Sequence, residues 1–314
     1  MRAVFLDKST INDKIDFSAI ESQFDTIGYF DCTEADKVVS RCRFADVIIT
    51  NKVIIDKQVM AQLPRLKLIC IAATGTNNVD LLAAKAQGVT VMNVSGYSTT
   101  AVSQYVFAML LEHLQKSSEY IANVKQGQWQ KSPVFCHFSQ PFNELAGKTM
   151  AIIGYGTIAQ RVAIIAEAFG MQVLIAERQG SQSIRSGRTP FEQALAVADV
   201  VSLHAPLTAE TELMINQQTL AIMKKDAILV NTARGGLVDS NAVVDALKCK
   251  QLGAAILDVL EVEPPPANHP LLNNKLKNLY LTAHVAWGSQ QAQQRLINGI
   301  GKNIADFKSK NRVE

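Results

Sequence analysis

A chain of 314 residues, 48% hydrophobic and 19% charged, falls inside the globular range and outside the composition of disorder. Its 31 Lys and Arg against 28 Asp and Glu leave a formal charge of +3, too near balance for a dedicated nucleic-acid or membrane-surface binder. The length favours about two domains.

Cys32, Cys42, Cys70, Cys136 and Cys249 are widely spaced and form no CxxC pair, which argues against a disulfide framework or a zinc site and for a reducing cytoplasm. No His pair shows metal-ligand spacing, and no metal is expected. Met1 opens directly into an apolar run with no cationic leader, and no run approaches a membrane span. The chain is expected to stay in the compartment where it is made.

From the N-terminus, AVFLD, DVIITN and LKLICIAA are short apolar runs suited to buried parallel strands, separated by amphipathic stretches such as 33–44. This alternation predicts a doubly wound sheet of about five strands, ending near VTVMNVSG at 89–96. Residues 100–126 then carry no Gly or Pro and repeat their apolar positions at helical spacing, which predicts one long helix. Pro133 and Pro141 break the segment that follows. Its aromatics either face a partner subunit or pack on the second domain; the first reading is favoured, making 120–146 an expected homodimer arm.

A second alternating block starts at Lys148, with strands at TMAIIG, MQVLIA, DVVSLHA, AILVNT, GAAILDV and NLYLTAH. Six strands suffice for two mononucleotide-binding halves. Residues 289–308 are again helical in pattern and are expected to cross back to the first block. The division is therefore 1–99 plus 286–314, discontinuous in sequence, against 100–285.

Gly154-Tyr155-Gly156-Thr157-Ile158-Ala159 follows a strand and opens a helix, the context a dinucleotide fingerprint requires. Gly154 allows the tight turn, and Gly156 lets the backbone approach a pyrophosphate at the helix N-terminus. Glu177 ends the next strand, where a carboxylate accepts hydrogen bonds from ribose hydroxyls and favours NAD. Adjacent Arg178 softens that preference by offering a guanidinium to a 2′-phosphate, so NADP stands second.

Ligands of open α/β sheets bind beyond the carboxyl ends of strands. Three such ends carry Arg234, Glu263 and His284. A guanidinium clamps a carboxylate through two bonds, a histidine exchanges a proton near neutral pH, and a nearby Glu orients the imidazole. Trp287 either walls a small pocket or simply packs.

These stretches, together with ATGTNNVDL at 73–81, HAPLT at 204–208, NTARGGLVD at 231–239, LDVLEVEP at 257–264 and AHVAW at 283–287, resemble the D-isomer-specific 2-hydroxyacid dehydrogenases over essentially the whole length. The resemblance implies a Rossmann dinucleotide-binding domain at 100–285 and a flavodoxin-like substrate domain. It also implies Arg234 as the substrate clamp, His284 as acid/base and Glu263 as its support. Thr74 and Gly75 would offer backbone donors to a substrate carboxylate. Cofactor contacts are implied at Gly154, Gly156, Thr157, Ile158, Glu177, His204, Ala205, Pro206, Thr232, Ala233, Arg234, Asp258, His284 and Ala286, with Asp258 near the nicotinamide amide. Two positions depart from the family pattern: Gln104 replaces a usual Glu, and Ala283 replaces a usual Pro.

GTNNVDL, GYSTT and HVAW most resemble the branch acting on D-glycerate and hydroxypyruvate, with glyoxylate also expected. D-lactate or phosphoglycerate dehydrogenase, a formate dehydrogenase, and a non-catalytic NAD-sensing corepressor on the same fold are the alternatives. The absence of further sequence after Glu314 makes phosphoglycerate dehydrogenases with a C-terminal extension fit less well.

Overall fold

The computed structural model describes residues 1–273 and 275–310; residues 311–314, the end of the expected first domain, lie outside the described residues. The chain forms two compact units, Met1–Ser98 with Trp287–Glu314, and Thr99–Ala286.

In the first unit the chain runs β1 (Arg2–Phe5), α1 (Ser18–Glu21), β2 (Thr26–Tyr29), α2 (Val38–Cys42), β3 (Val47–Thr50), α3 (Lys57–Ala61), β4 (Leu68–Ile71), α4 (Leu81–Ala86) and β5 (Thr90–Asn93). Every strand pairing is parallel, in the order β2-β1-β3-β4-β5. That is the flavodoxin-like winding. VIIT and LICI are buried at all four positions because helices cover both faces of a parallel sheet. The strand ends are tied by Asp7, whose carboxylate accepts from the backbone N–H groups of Asn51 (2.9 Å) and Lys52 (2.7 Å).

The second unit contains α5 (Thr99–Gln115), α6 (Ser117–Lys125), β6 (Thr149–Ile153), α7 (Thr157–Ala168), β7 (Gln172–Ala176), α8 (Phe191–Val197), β8 (Val200–Leu203), α9 (Gln217–Ile222), β9 (Ile228–Asn231), α10 (Ser240–Lys248), β10 (Ala254–Leu257) and β11 (Leu279–Leu281). All six expected strands are present, in the order β11-β10-β9-β8-β6-β7. Beyond β7 the third strand of the first mononucleotide half is reduced to one parallel bridge, Ala176 to Thr189. Counting that bridge, the order is the Rossmann 3-2-1-4-5-6 with one further strand. Alternate residues of β6 enter different cores: Met150 and Ile152 join the layer of α5 and α7, while Ala151 and Ile153 join that of α8 to α10. α11 (Gln290–Lys310) returns to the first unit, where it packs on α1, β4 and β5.

The single long helix expected over 100–126 is two helices. Lys116 takes φ 52°, the left-handed region, between α5 and α6. Its N–H still donates to the Glu112 carbonyl at 2.9 Å, closing α5, while its carbonyl accepts from Glu119 and Tyr120 and opens α6. A non-glycine residue there costs about 1–2 kcal/mol. The Lys116 ammonium donates to Gln140 Oε1 at 2.7 Å, fastening the bend to the segment that follows.

Candidate active site

The order of strands reverses between β6 and β8, and in open α/β sheets that reversal is where ligands bind. Gly154 directly follows β6 at φ 84°, and a Cβ there would lie 2.7 Å from the Ala205 backbone nitrogen. Only glycine allows the turns after β6 and β8 to approach this closely. His204 is held alongside: its N–H donates to the Ile153 carbonyl at 2.7 Å, and Nε2 lies 2.9 Å from the Ser202 hydroxyl. Burial pushes the His204 imidazole down to about 4, so it is neutral at physiological pH.

The residues here fit a dinucleotide. Gly156 caps α7 without a side-chain acceptor, leaving the first-turn N–H groups of Thr157 and Ile158 for an anion, and no atom lies within 4 Å of where its own Cβ would stand. At the end of β9 the hydroxyl of Thr232 is buried without a hydrogen-bond partner among the described residues. Buried polar groups are rarely left so, and a bound polar ligand at this edge would satisfy it.

Arg234 follows β9 and is half-buried. Asn231, fully buried, braces the turn: its Oδ1 accepts from Ala233 N at 3.0 Å, and its Nδ2 donates to the Arg234 carbonyl at 2.8 Å. The next residue, Gly235, sits against the turn after β10, where a Cβ would stand 1.8 Å from the Leu260 carbonyl carbon. The loops carrying Arg234 and Glu263 are therefore packed backbone to backbone.

Glu263 and His284 meet: Nδ1 of His284 is 2.6 Å from Oε2, while Oε1 accepts from Leu260 N at 2.8 Å. An ionised carboxylate only accepts, so Nδ1 carries a hydrogen and Nε2 is left to exchange protons. His284 has φ 53°, and a non-glycine residue in that region costs on the order of 1–3 kcal/mol. The surrounding hydrogen bonds hold it there. Its N–H donates to the Asp258 carbonyl at 2.7 Å, and the buried Asp258 carboxylate accepts from Thr282 Oγ1 (2.7 Å), Val285 N and Ala286 N (both 2.9 Å). Asp258 thus fastens the histidine loop to the end of β10, a task its place in the sequence does not announce.

In the first unit the backbone N–H groups of Thr74 and Gly75 donate to nothing among the described residues, while the Thr74 carbonyl accepts from Asn93 Nδ2 at 2.6 Å. Trp287 lies edge-on to buried Tyr97, with ring centroids 6.1 Å apart. Glu177 is 3% exposed and ion-paired with Arg185, a residue the fingerprint does not point to. No cluster of three His, Cys, Asp or Glu side chains able to hold a metal occurs among the described residues, and no helix there is long and apolar enough to cross a membrane.

Residues 107–286 match the NAD-binding domain of the D-isomer-specific 2-hydroxyacid dehydrogenases. The chain belongs to this family. It is 41% identical over 309 residues to a putative 2-hydroxyacid dehydrogenase of Haemophilus influenzae, covering 98% of each chain. It is 38% identical to the glycerate dehydrogenase of Methylorubrum extorquens, covering 100% of this chain and 99% of that one. Among solved structures, an acyclic imino acid reductase in complex with NADPH and D-arginine superposes with a TM-score of 0.84 at 27% identity, over 99% and 98% of the two chains. The protein is an NAD-dependent oxidoreductase of the 2-hydroxyacid dehydrogenase family, which favours the enzyme reading of the site over a cofactor sensor or a formate dehydrogenase.

Proposed function

We propose that the protein interconverts D-glycerate and hydroxypyruvate, with glyoxylate as a second substrate, and that Arg234, Glu263 and His284 carry the reaction. The contact that supports this most directly is the 2.6 Å bond between Glu263 and His284, on a loop fixed by Asp258. The 38% identity to a glycerate dehydrogenase supports the choice of substrate.

NADH, held at the Gly154 turn and the N-terminus of α7, would supply the hydride that reduces C2 of the 2-oxo acid. His284 donates a proton from Nε2 to the carbonyl oxygen as it becomes an alkoxide, and takes it back in the oxidative direction. Glu263 keeps the ring in the tautomer and orientation this exchange needs, and it offsets the charge of the protonated imidazole. Arg234 offers a planar fork to the carboxylate and polarises the carbonyl. In the first unit, Thr74 and Gly75 carry backbone N–H groups that suit a carboxylate, and Trp287 lies edge-on to Tyr97.

The protein is further expected to reside in the cytoplasm, a reading supported by five unpaired thiols, and to form a homodimer through 120–146. In that segment α6 has no buried residue, and Phe135 and Phe138 are 89% and 72% exposed. Apolar surface of this kind marks association sites. Light scattering on the purified protein, and on Phe135→Ser with Phe138→Ser, tests the dimer; an unchanged mass in the variant removes the arm from the interface.

Steady-state kinetics with hydroxypyruvate, glyoxylate and pyruvate decides the substrate. The highest kcat/KM is expected for hydroxypyruvate, and turnover of none of the three rejects the function.

A further inference from the structure

Glu177 directly follows β7, and its carboxylate is fully engaged by its own chain. Oε1 accepts from Arg178 N at 2.9 Å and from Arg185 Nη2; Oε2 accepts from Arg185 Nε at 2.8 Å and Arg185 N at 3.1 Å. A carboxylate has about four lone-pair sites, so none is left for both hydroxyls of an adenosine ribose. The Arg185 guanidinium, followed by the backbone donor of Arg178, holds the Glu177 carboxyl well below its ordinary range.

Cations surround this consumed anion. Arg188 donates to the Ala176 carbonyl at 3.1 Å and lies over the Tyr155 ring, 6.0 Å from its centroid, inside the fingerprint turn. Arg178 is exposed at the next position, and half of the Arg185 side chain remains exposed outside its pair. From 177 to 189 the chain holds three arginines and no acid besides Glu177. A free carboxylate at this strand end would repel a 2′-phosphate, but here its charge is spent on Arg185, and guanidinium donors remain that suit a phosphate.

We propose that the end of β7 is a 2′-phosphate subsite, through which the protein binds NADP(H) as well as NAD(H), with Arg178 and Arg185 as the specificity-determining residues. The inference rests on the dinucleotide reading of the Gly154 turn.

Fluorescence titration of the full-length protein with NADH and NADPH tests it. NADPH is expected to bind within about tenfold of NADH, and to weaken more steeply than NADH as salt rises, because it brings additional charge to exposed arginines. Arg178→Ala and Arg185→Ala are each expected to raise the ratio of the NADPH Kd to the NADH Kd by about tenfold or more. Arg178→Ala removes only an exposed side chain, so the test survives if the Arg185 variant fails to fold. Adenosine 2′,5′-bisphosphate should displace either dinucleotide more strongly than 5′-AMP does. NADPH binding more than about a hundredfold weaker than NADH, or a ratio unmoved in the Arg178 variant, overturns the subsite while leaving the NAD reading intact. Failure of both dinucleotides to bind overturns the subsite and the dinucleotide reading together.

Discussion

The Nδ1 atom of His284 lies 2.6 Å from Oε2 of Glu263, and the second oxygen of that carboxylate is held by Leu260 N at 2.8 Å. The carboxylate can neither rotate freely nor act as a donor, so it fixes which ring nitrogen is protonated. Glu263→Gln offers the imidazole an amide that reads in either orientation. It is expected to lower kcat by about tenfold or more with little change in KM, while His284→Ala lowers kcat by about 10²–10⁴. NADH binding, followed separately by fluorescence, should persist in both. Turnover unaffected by loss of His284 would remove the residue from the proton path.

Arg234 is proposed to act through the shape of its guanidinium as much as its charge. Lys at this position keeps the charge but loses the planar fork, so Arg234→Lys should cut kcat/KM for the 2-oxo acid by about thirtyfold or more. The comparison that matters is among substrates. The loss should appear with hydroxypyruvate, glyoxylate and pyruvate alike, since all three carry the carboxylate. A loss confined to hydroxypyruvate would instead place Arg234 against the substrate's terminal hydroxyl.

Two adjacent glycines differ in what surrounds them. A Cβ on Gly235 meets the Leu260 and Glu261 backbone at 1.8–2.3 Å, whereas one on Gly236 meets mainly the Leu207 methyls, the nearest at 2.9 Å. Side-chain ends can yield and backbone cannot. Gly235→Ala is therefore expected to lower Tm by about 5 °C or more and to displace the loops carrying Arg234 and Glu263, with Gly236→Ala distinctly milder. Thermal melts of the two variants side by side check this, and equal effects would mean that the loops slide past one another freely.

The central strands were legible because they are short apolar runs buried on both sheet faces, as in VIIT and LICI, whereas the edge strand β2, whose TIGY is exposed to half-buried, was not singled out. The order of strands in the sheet was not legible, since periodicity reports burial and not neighbours. The third strand of the first mononucleotide half escaped notice because only Thr189 pairs, inside a polar loop. Lys116 ends α5 without a Gly or Pro to mark the break. Among strand-end acids, the sequence separates function from scaffolding poorly. Glu263 holds a histidine side chain, while Asp7 and Asp258 bind mainly backbone N–H groups, and all three look alike in a linear reading. Arg185 could not be singled out either, because its tie to Glu177 depends on how eight residues of irregular chain turn back.

Two imidazoles make stability depend on pH in a window of their own. Burial pushes His204 down to about 4 from an ordinary 6.5, and burial, then the nearby Lys116 charge, lowers His113, which packs edge-on against Tyr280. In the unfolded chain both take up protons as pH falls through about 6.5, while the native state resists, so unfolding binds protons and stability declines on acidification. For His204 the loss begins near 6.5 and is complete near 4. Glu177 acts in the same sense but in a lower window: its depressed carboxyl stabilises the native state fully above its ordinary 4.5, and that contribution is lost as pH falls further. Between about 4.5 and 6.5 the slope therefore belongs to the histidines. Tm measured at pH 7.5, 6.0 and 5.0 should fall steadily, and His204→Gln should flatten the decline because the amide does not titrate. An identical slope in the variant would show that His204 is protonated in the native state, and would contradict the burial that holds it neutral.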